Sequence, residues 1–267
     1  MKADRNLYRI MPLKFFFEMI KSQKLYFVRP KLWMDKHEGF LFQKLKSPQG
    51  IKEVELAVSQ FPPNLSRRCF IESALAFEKT FYAQSWSLRP HSAAMWRDYN
   101  HDNSSVRIEI NESDIQKLHL VHLIDIEYVD AVNLYAELDR VFGQGDSVCP
   151  MEAYRIKRRD FDHEQEVRLI YINPEALVEK PKAQMDQWRA AVENLRHSDP
   201  ILAKAIEKEV LSEIQDHQLI DFNQVRGFIK SIMLHPHANS DLDRELANFC
   251  SRHELNYLGK SKLYDPV

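Results

Sequence analysis

The stretch Glu164-Gln165-Glu166-Val167-Arg168-Leu169-Ile170-Tyr171-Ile172 decides how the chain is read, because it is the strongest strand signal in the sequence. Side chains alternate faces along a strand, so Glu164, Glu166 and Arg168 fall on one side and Gln165, Val167, Leu169 and Tyr171 on the other. Carboxylates two residues apart lie about 6–7 Å from each other at a rise of about 3.3 Å per residue. They repel, and one holds its proton more tightly unless a cation intervenes. Arg168 is the cation at hand. Taken alone, the segment also fits an edge strand with a solvated charged face.

Working outward, the chain opens with a β run at Leu7–Ile10, closed by Pro12. A helix follows over 13–23, with Leu13, Phe16, Phe17 and Ile20 at helical spacing, then a β run at Leu25–Val28. Residues 51–80 read as helical with a break at Phe61-Pro62-Pro63-Asn64. Phe81–Ser87 alternates as a strand, with Ser85 and Ser87 on one face and Trp86 on the other. Ser92 is placed to cap a helix through Tyr99. Strands are expected at Val106–Ile110, Val121–Val129, Phe228–Leu234 and Asn256–Leu258, and helices at 130–142, 183–196, 201–219 and from Asn239 or Ser240 to His253. Residues 151–163 read as a very polar segment carrying Arg155, Lys157, Arg158 and Arg159. Strands separated by helices of uneven length predict an α+β fold, one domain over 1–267 with a helical insertion at 175–222.

Composition narrows the function classes. The 267 residues carry 37 Lys and Arg against 39 Asp and Glu, a formal charge of -2, so no global basic field draws the chain to nucleic acid or membrane. There are only 6 glycines, far below the roughly 7% of average usage. Neither G-x-G-x-x-G nor G-x-x-x-x-G-K-[ST] occurs. A nucleotide, if bound, must be held by side chains from several strands. Cys69, Cys149 and Cys250 are widely spaced without a C-x-x-C pair, which argues against a disulfide framework or a structural zinc and fits a reducing cytoplasm. Met1–Pro12 lacks the apolar run of a signal peptide, and no stretch is apolar enough to span a membrane, so a cytoplasmic protein without a membrane partner is expected.

Arg9 in an early strand, Ser85 and Ser87 in a middle strand, and Glu164 and Glu166 in a later one resemble, in that chain order, the Arg–Ser–Glu pattern of ADP-ribosyltransferases. The opening strand–helix–strand over Leu7–Val28 resembles the start of that fold. The resemblance implies a mixed, largely antiparallel split sheet, and NAD bound in the cleft without a Gly-rich loop. By the same resemblance, Arg9 would hold an NAD phosphate or ribose, and Ser85 and Ser87 would brace the site. Glu166 would bind the nicotinamide ribose and stabilise an oxocarbenium-like transition state. Glu164 would position an acceptor macromolecule, protein or nucleic acid. Trp96 or Tyr99, at i and i+3 on one helix, would wall the nicotinamide pocket, and Arg168 would join the binding set. The whole chain also resembles an uncharacterised bacterial domain family met among abortive-infection proteins. The residues that carry this likeness are Leu7-Tyr8-Arg9, Leu25-Tyr26-Phe27, Asp35 and Glu38, Trp96 and Tyr99, and Glu164, Glu166 and Arg168. Met34 and Lys36-His37 depart from that family's turn. A toxin or phage-defence effector is what this second resemblance implies.

Other readings remain open at this point. Asp35, His37, Glu38 and the Glu164/Glu166 pair would suit a hard metal for phosphodiester cleavage, with Arg155–Arg159 as a basic patch for the backbone. His235-Pro236-His237 is an H-x-H without an evident third ligand. The apolar stripes of 183–196 and 201–219 would also suit a partner-binding module.

Overall fold

The strand signal at 164–172 becomes an interior strand of the large sheet, paired along both edges. In the computed structural model, residues 4–33, 35, 38–57, 74–76, 78–99, 102–134, 136–137, 150–174, 193, 196, 200, 216–225 and 227–265 are described. The elements bearing on the site are β1 (Asn6–Pro12), α1 (Leu13–Ser22), β2 (Lys24–Val28), α2 (Phe40–Lys44), α3 (Pro48–Ala57), β3 (Phe81–Ser87), α4 (Ala93–Asp98) and β4 (Ser105–Asn111). They continue with α5 (Glu112–Ile115), β5 (Val121–Asp125), β6 (Glu127–Val129), β7 (Ile156–Arg158), β8 (Glu166–Ile172), β9 (His217–Asp221), β10 (Ser231–Leu234), α6 (Ser240–Arg252) and β11 (Tyr257–Lys260). The fold is α+β, with a large mixed sheet ordered β11-β10-β4-β1-β3-β2-β9. β8 pairs with β3 on one edge and β5 on the other. All of these pairs are antiparallel except β10–β11. β6 and β7 form a separate parallel pair.

Alternation sorts the strands into two cores. Leu7, Met11, Tyr82, Trp86, Val106, Ile108, Val167 and Leu169 face a core shared with Phe16 of α1 and Phe249 of α6. Phe81, Ala83 and Ile170 face a second core with Phe42, Tyr154 and Ile156. β8 is therefore covered on both faces, and the edge-strand reading of 164–172 gives way to a central strand. A polar residue on such a strand needs a partner, because burying it alone costs free energy.

β3 joins β1 at one register point, Tyr8 opposite Ser87, and β2 at another, Val28 opposite Ala83. The guanidinium of Arg9, one residue past the first junction, spans the opening and donates from Nη1 to the Ser85 carbonyl at 2.5 Å.

Several expected boundaries shift. β8 begins at Glu166, because Gln165 is left-handed (φ 40) and Glu164 ends a 3-10 turn over Arg159–Glu164. The strand expected over Val121–Val129 divides into β5 and β6, which lie in different sheets. Residues expected to finish the helix at 201–219 form the start of β9, paired with β2. Most of the insertion, the break at 61–64, most of the helix at 183–196, much of 130–142, and Met34, Lys36, His37, Cys69 and Cys149 lie outside the described residues. The caps fall where the sequence placed them: Ser92 Oγ accepts from the Met95 amide and Asn239 Oδ1 from the Leu242 amide. Among the described residues, no helix is long and apolar enough to cross a membrane.

Candidate functional site

The start of β8 and the middle of β3 face each other in register, Ser85 opposite Arg168 and Ser87 opposite Glu166. In-register partners share a face, so the serines and the charged residues of β8 point to the same side. Ser85 Oγ donates to Glu166 Oε1 at 2.6 Å, and Arg168 Nε donates to the same oxygen at 2.6 Å. The other carboxylate oxygen takes Lys157 Nζ at 2.7 Å. Lys157 comes from β7, in the small sheet, and also holds Glu164 at 2.5 Å and Glu38 at 3.1 Å. Arg168 bridges to Glu38 at 3.0 Å and donates to the Tyr154 carbonyl at 2.7 Å, and its guanidinium lies 4.6 Å from the Trp33 ring centre. Glu38, Glu164 and Glu166 thus share Lys157 and Arg168 in a cluster in which each side chain is at most 9% exposed.

The electrostatics follow from this crowding. Burial alone would raise the Glu166 carboxyl, but Arg168 and Lys157 outweigh it and hold it down to about 2. Burial works against the Lys157 ammonium, yet Glu166, Glu38 and Glu164 keep it above the usual lysine range. Glu38 goes the other way: burial raises its carboxyl in spite of Arg168 and Lys157. Glu166 is therefore a fixed anion across the physiological range.

Of the residues singled out from sequence, Arg9, Ser85, Tyr99, Glu164, Glu166 and Arg168 come together. Tyr99 donates to Glu164 Oε1 at 3.4 Å, and burial, then the nearby Glu164, raise its hydroxyl. Burial lowers Arg9 to about 10 against the pull of Tyr99 and Glu166, and among the described residues its buried Nε has no hydrogen-bond partner. Ser87 has another part: its hydroxyl donates to the Glu164 backbone carbonyl at 2.6 Å and accepts from the Arg89 amide, bracing the turn instead of the carboxylates. Trp96 is buried with Ile10 and Met95, edge-on to His235, and joins a separate apolar group. The shared face expected for Glu164 and Glu166 does not arise from strand alternation, since Glu164 precedes β8. The two carboxylates meet because Gln165 turns the chain and Lys157 takes both.

Sequence reasoning assigned Lys157 to a basic patch, and the structure corrects that. Arg155 pairs with Glu152 at 2.6 Å, Arg158 with Asp35 at 3.1 Å and Arg159 with Asp130 at 2.8 Å, while Lys157 turns inward. Burial of Ala153, Tyr154 and Ile156 beside Lys157 is the signal that this segment is core-facing. In the alternative metal reading Glu38 would be one ligand among several, but the space between Glu38, Glu164 and Glu166 holds the Lys157 ammonium. The His235 and His237 rings lie 5.7 Å apart, one edge-on to Trp96 and the other stacked on Tyr264, and His235 Nδ1 accepts from the His237 amide. Among the described residues, no group of three or more His, Cys, Asp or Glu side chains is placed to hold a metal ion.

Compared with known proteins, the chain matches no family profile, no curated protein and no solved structure.

Proposed function

We propose that the chain is an NAD-dependent ADP-ribosyltransferase-like enzyme, with Glu166 as its catalytic carboxylate. The observation that carries the reading is the convergence of Arg9, Ser85 and Glu166, from three strands, where β1 and β3 part. These are the three residue types, in chain order, of the Arg–Ser–Glu pattern.

The chemistry is consistent with the charges. Cleavage of the bond between nicotinamide and ribose leaves positive charge on the ribose carbon while nicotinamide departs with the bonding electron pair. A carboxylate that is anionic and fixed beforehand stabilises that charge without reorganising. Glu166 is such a group, held by Ser85, Arg168 and Lys157. The partnerless Nε of Arg9 is a buried donor suited to a phosphate or ribose oxygen. Glu164, which shares the Lys157 ammonium with Glu166, would position the acceptor and take its proton. The lone pairs of Glu166 are already used by three side chains, so a ribose hydroxyl reaches it by displacing one of them. Lys157 is the one with two further carboxylates to fall back on.

The toxin or defence role belongs to the same reading and rests on the family likeness. The test is incubation of the purified protein with labelled NAD and cell lysate. Transfer of label to an acceptor, or consumption of NAD, supports the assignment. Folded protein that does neither overturns it. A divalent metal site among Glu38, Glu164 and Glu166 would need Lys157 to leave, and nothing in the cluster favours that.

A further inference from the structure

Away from the carboxylates, the same face of the sheet carries a second feature. Glu166 pairs with Ser87, Ser87 with Tyr8, and Tyr8 with Glu109 of β4. Partners and residues two apart share a face, so Arg107, two residues before Glu109, lies on the Glu166 side, three strands away. At about 4.8 Å per strand that is roughly 14 Å between backbones.

Arg107 lines a narrow cleft with Tyr8, Ser87, Arg89, Pro90 and Trp96. It is 4% exposed, and among the described residues no carboxylate lines the cleft. One guanidinium nitrogen donates to the Pro90 carbonyl and the Tyr8 ring centre lies 5.0 Å away, but Nε is buried without a hydrogen-bond partner. Glu109, the nearest acid along the strand, is engaged by the Ser231 hydroxyl at 2.5 Å. The Glu109 charge pulls on Arg107 along the strand without an ion pair between them among the described residues, and a buried guanidinium with an idle donor is costly. Exposed Arg89 at the rim adds a second positive charge, and burial and the Arg107 charge together lower neighbouring His91. An anion from outside the chain would give that idle donor a partner and meet both arginines at the cleft.

We propose that the cleft is a phosphate subsite, in which Arg107, with Arg89 at the rim, takes the phosphate or diphosphate of a ligand whose other end extends toward Glu166. Only the identity of that ligand as NAD rests on the transferase reading. The fork of an arginine matches phosphate oxygens in pairs, which a lysine does not.

The test is calorimetric titration of the intact protein with inorganic pyrophosphate, ADP and NAD. Binding of ADP and pyrophosphate to the wild type, weakened about tenfold or more in Arg107→Gln and only partly restored in Arg107→Lys, is the expected result. Failure of both probes to bind at millimolar concentration, or equal binding to wild type and Arg107→Gln, overturns the subsite. If Arg107→Gln does not fold, Arg89→Gln is expected to weaken ADP binding and lower its salt dependence, and unchanged binding overturns the subsite. Label transfer from NAD, run in parallel, separates the two ideas. Arg107-dependent ADP binding without NAD turnover keeps the subsite and removes the transferase.

Discussion

Lys157 Nζ donates to Glu166 at 2.7 Å, although Lys157 belongs to the two-stranded sheet and Glu166 to the large one. This contact, with those to Glu164 and Glu38, adds a charged tie between the two sheets to the apolar one made by Ile156 with Phe81, Ala83 and Ile170. It also forms a hinge between stability and chemistry. The ammonium that makes the burial of three carboxylates tolerable is the group a substrate hydroxyl would have to displace from Glu166.

Replacing Lys157 with Met strands three buried carboxylates with Arg168 alone, and destabilisation of about 3–5 kcal/mol is expected. Glu166→Gln, which by shape alone would be neutral, removes the anion shared by two buried cations and should cost about 3 kcal/mol as well as all label transfer. In the double variant the two losses should fall short of additive, since both remove the same contact. Denaturant unfolding of the four proteins gives the coupling directly, and strict additivity would show that the contact contributes nothing.

The pH dependence has a definite sign on the acid side. The Glu166 carboxyl, held at about 2 against an ordinary 4.5, contributes stability that is complete above pH 4.5 and lost as pH falls toward 2. Glu38 is raised, so its ionisation opposes folding as pH climbs above 4.5. The wild-type stability profile should rise from pH 2 to 4.5 and then flatten or decline. Asp4, Asp114 and Asp216 are lowered too, so Glu166→Gln should make the rise shallower, and Glu38→Gln should lessen the decline. Chemical denaturation across that range checks both, and a Glu166→Gln profile as steep as wild type would contradict the assignment.

Much of the sheet was legible because its strands alternate against two cores. Tyr82 and Trp86 went one way and Phe81 and Ala83 the other, and the period of two carries that information locally. The gathering of Arg9, Ser85 and Glu166 was legible only as a motif order, since no local pattern sets where β1 leaves β3. Lys157 was not legible: in Arg155-Ile156-Lys157-Arg158-Arg159 it looks like its neighbours, and only its position on β7 turns it inward. Three glutamates near one arginine did leave a charge deficit that called for a second cation. The separation of Trp96 from the site was equally invisible, because helical spacing places it beside Tyr99 without saying which core receives its ring.

Arg9 is expected to matter far more for binding than for folding. Among the described residues its guanidinium makes one hydrogen bond, to the Ser85 carbonyl, and Nε finds no partner. The loss of that bond in Arg9→Gln is offset by release of a desolvated charge, so stability should change by no more than about 1 kcal/mol. NAD-dependent labelling should vanish, and Arg9→Lys should not restore it, because a single ammonium cannot reproduce the fork. Retained labelling in Arg9→Gln would remove Arg9 from the site.

Gln165 sets the geometry that lets Glu164 and Glu166 meet on one ammonium. Its backbone is left-handed, φ 40 and ψ 55, and it follows the 3-10 turn that presents Glu164. That conformation costs an L-residue about 1–2 kcal/mol and is worst for β-branched side chains. Gln165→Gly should be neutral or mildly stabilising, while Gln165→Ile should destabilise by about 1–2 kcal/mol and reduce label transfer by separating the two carboxylates. The diagnostic measurement is turnover in the Ile variant under conditions where it remains folded. If turnover is unchanged, Glu164 has no part in positioning the acceptor, and the chemistry rests on Glu166 alone.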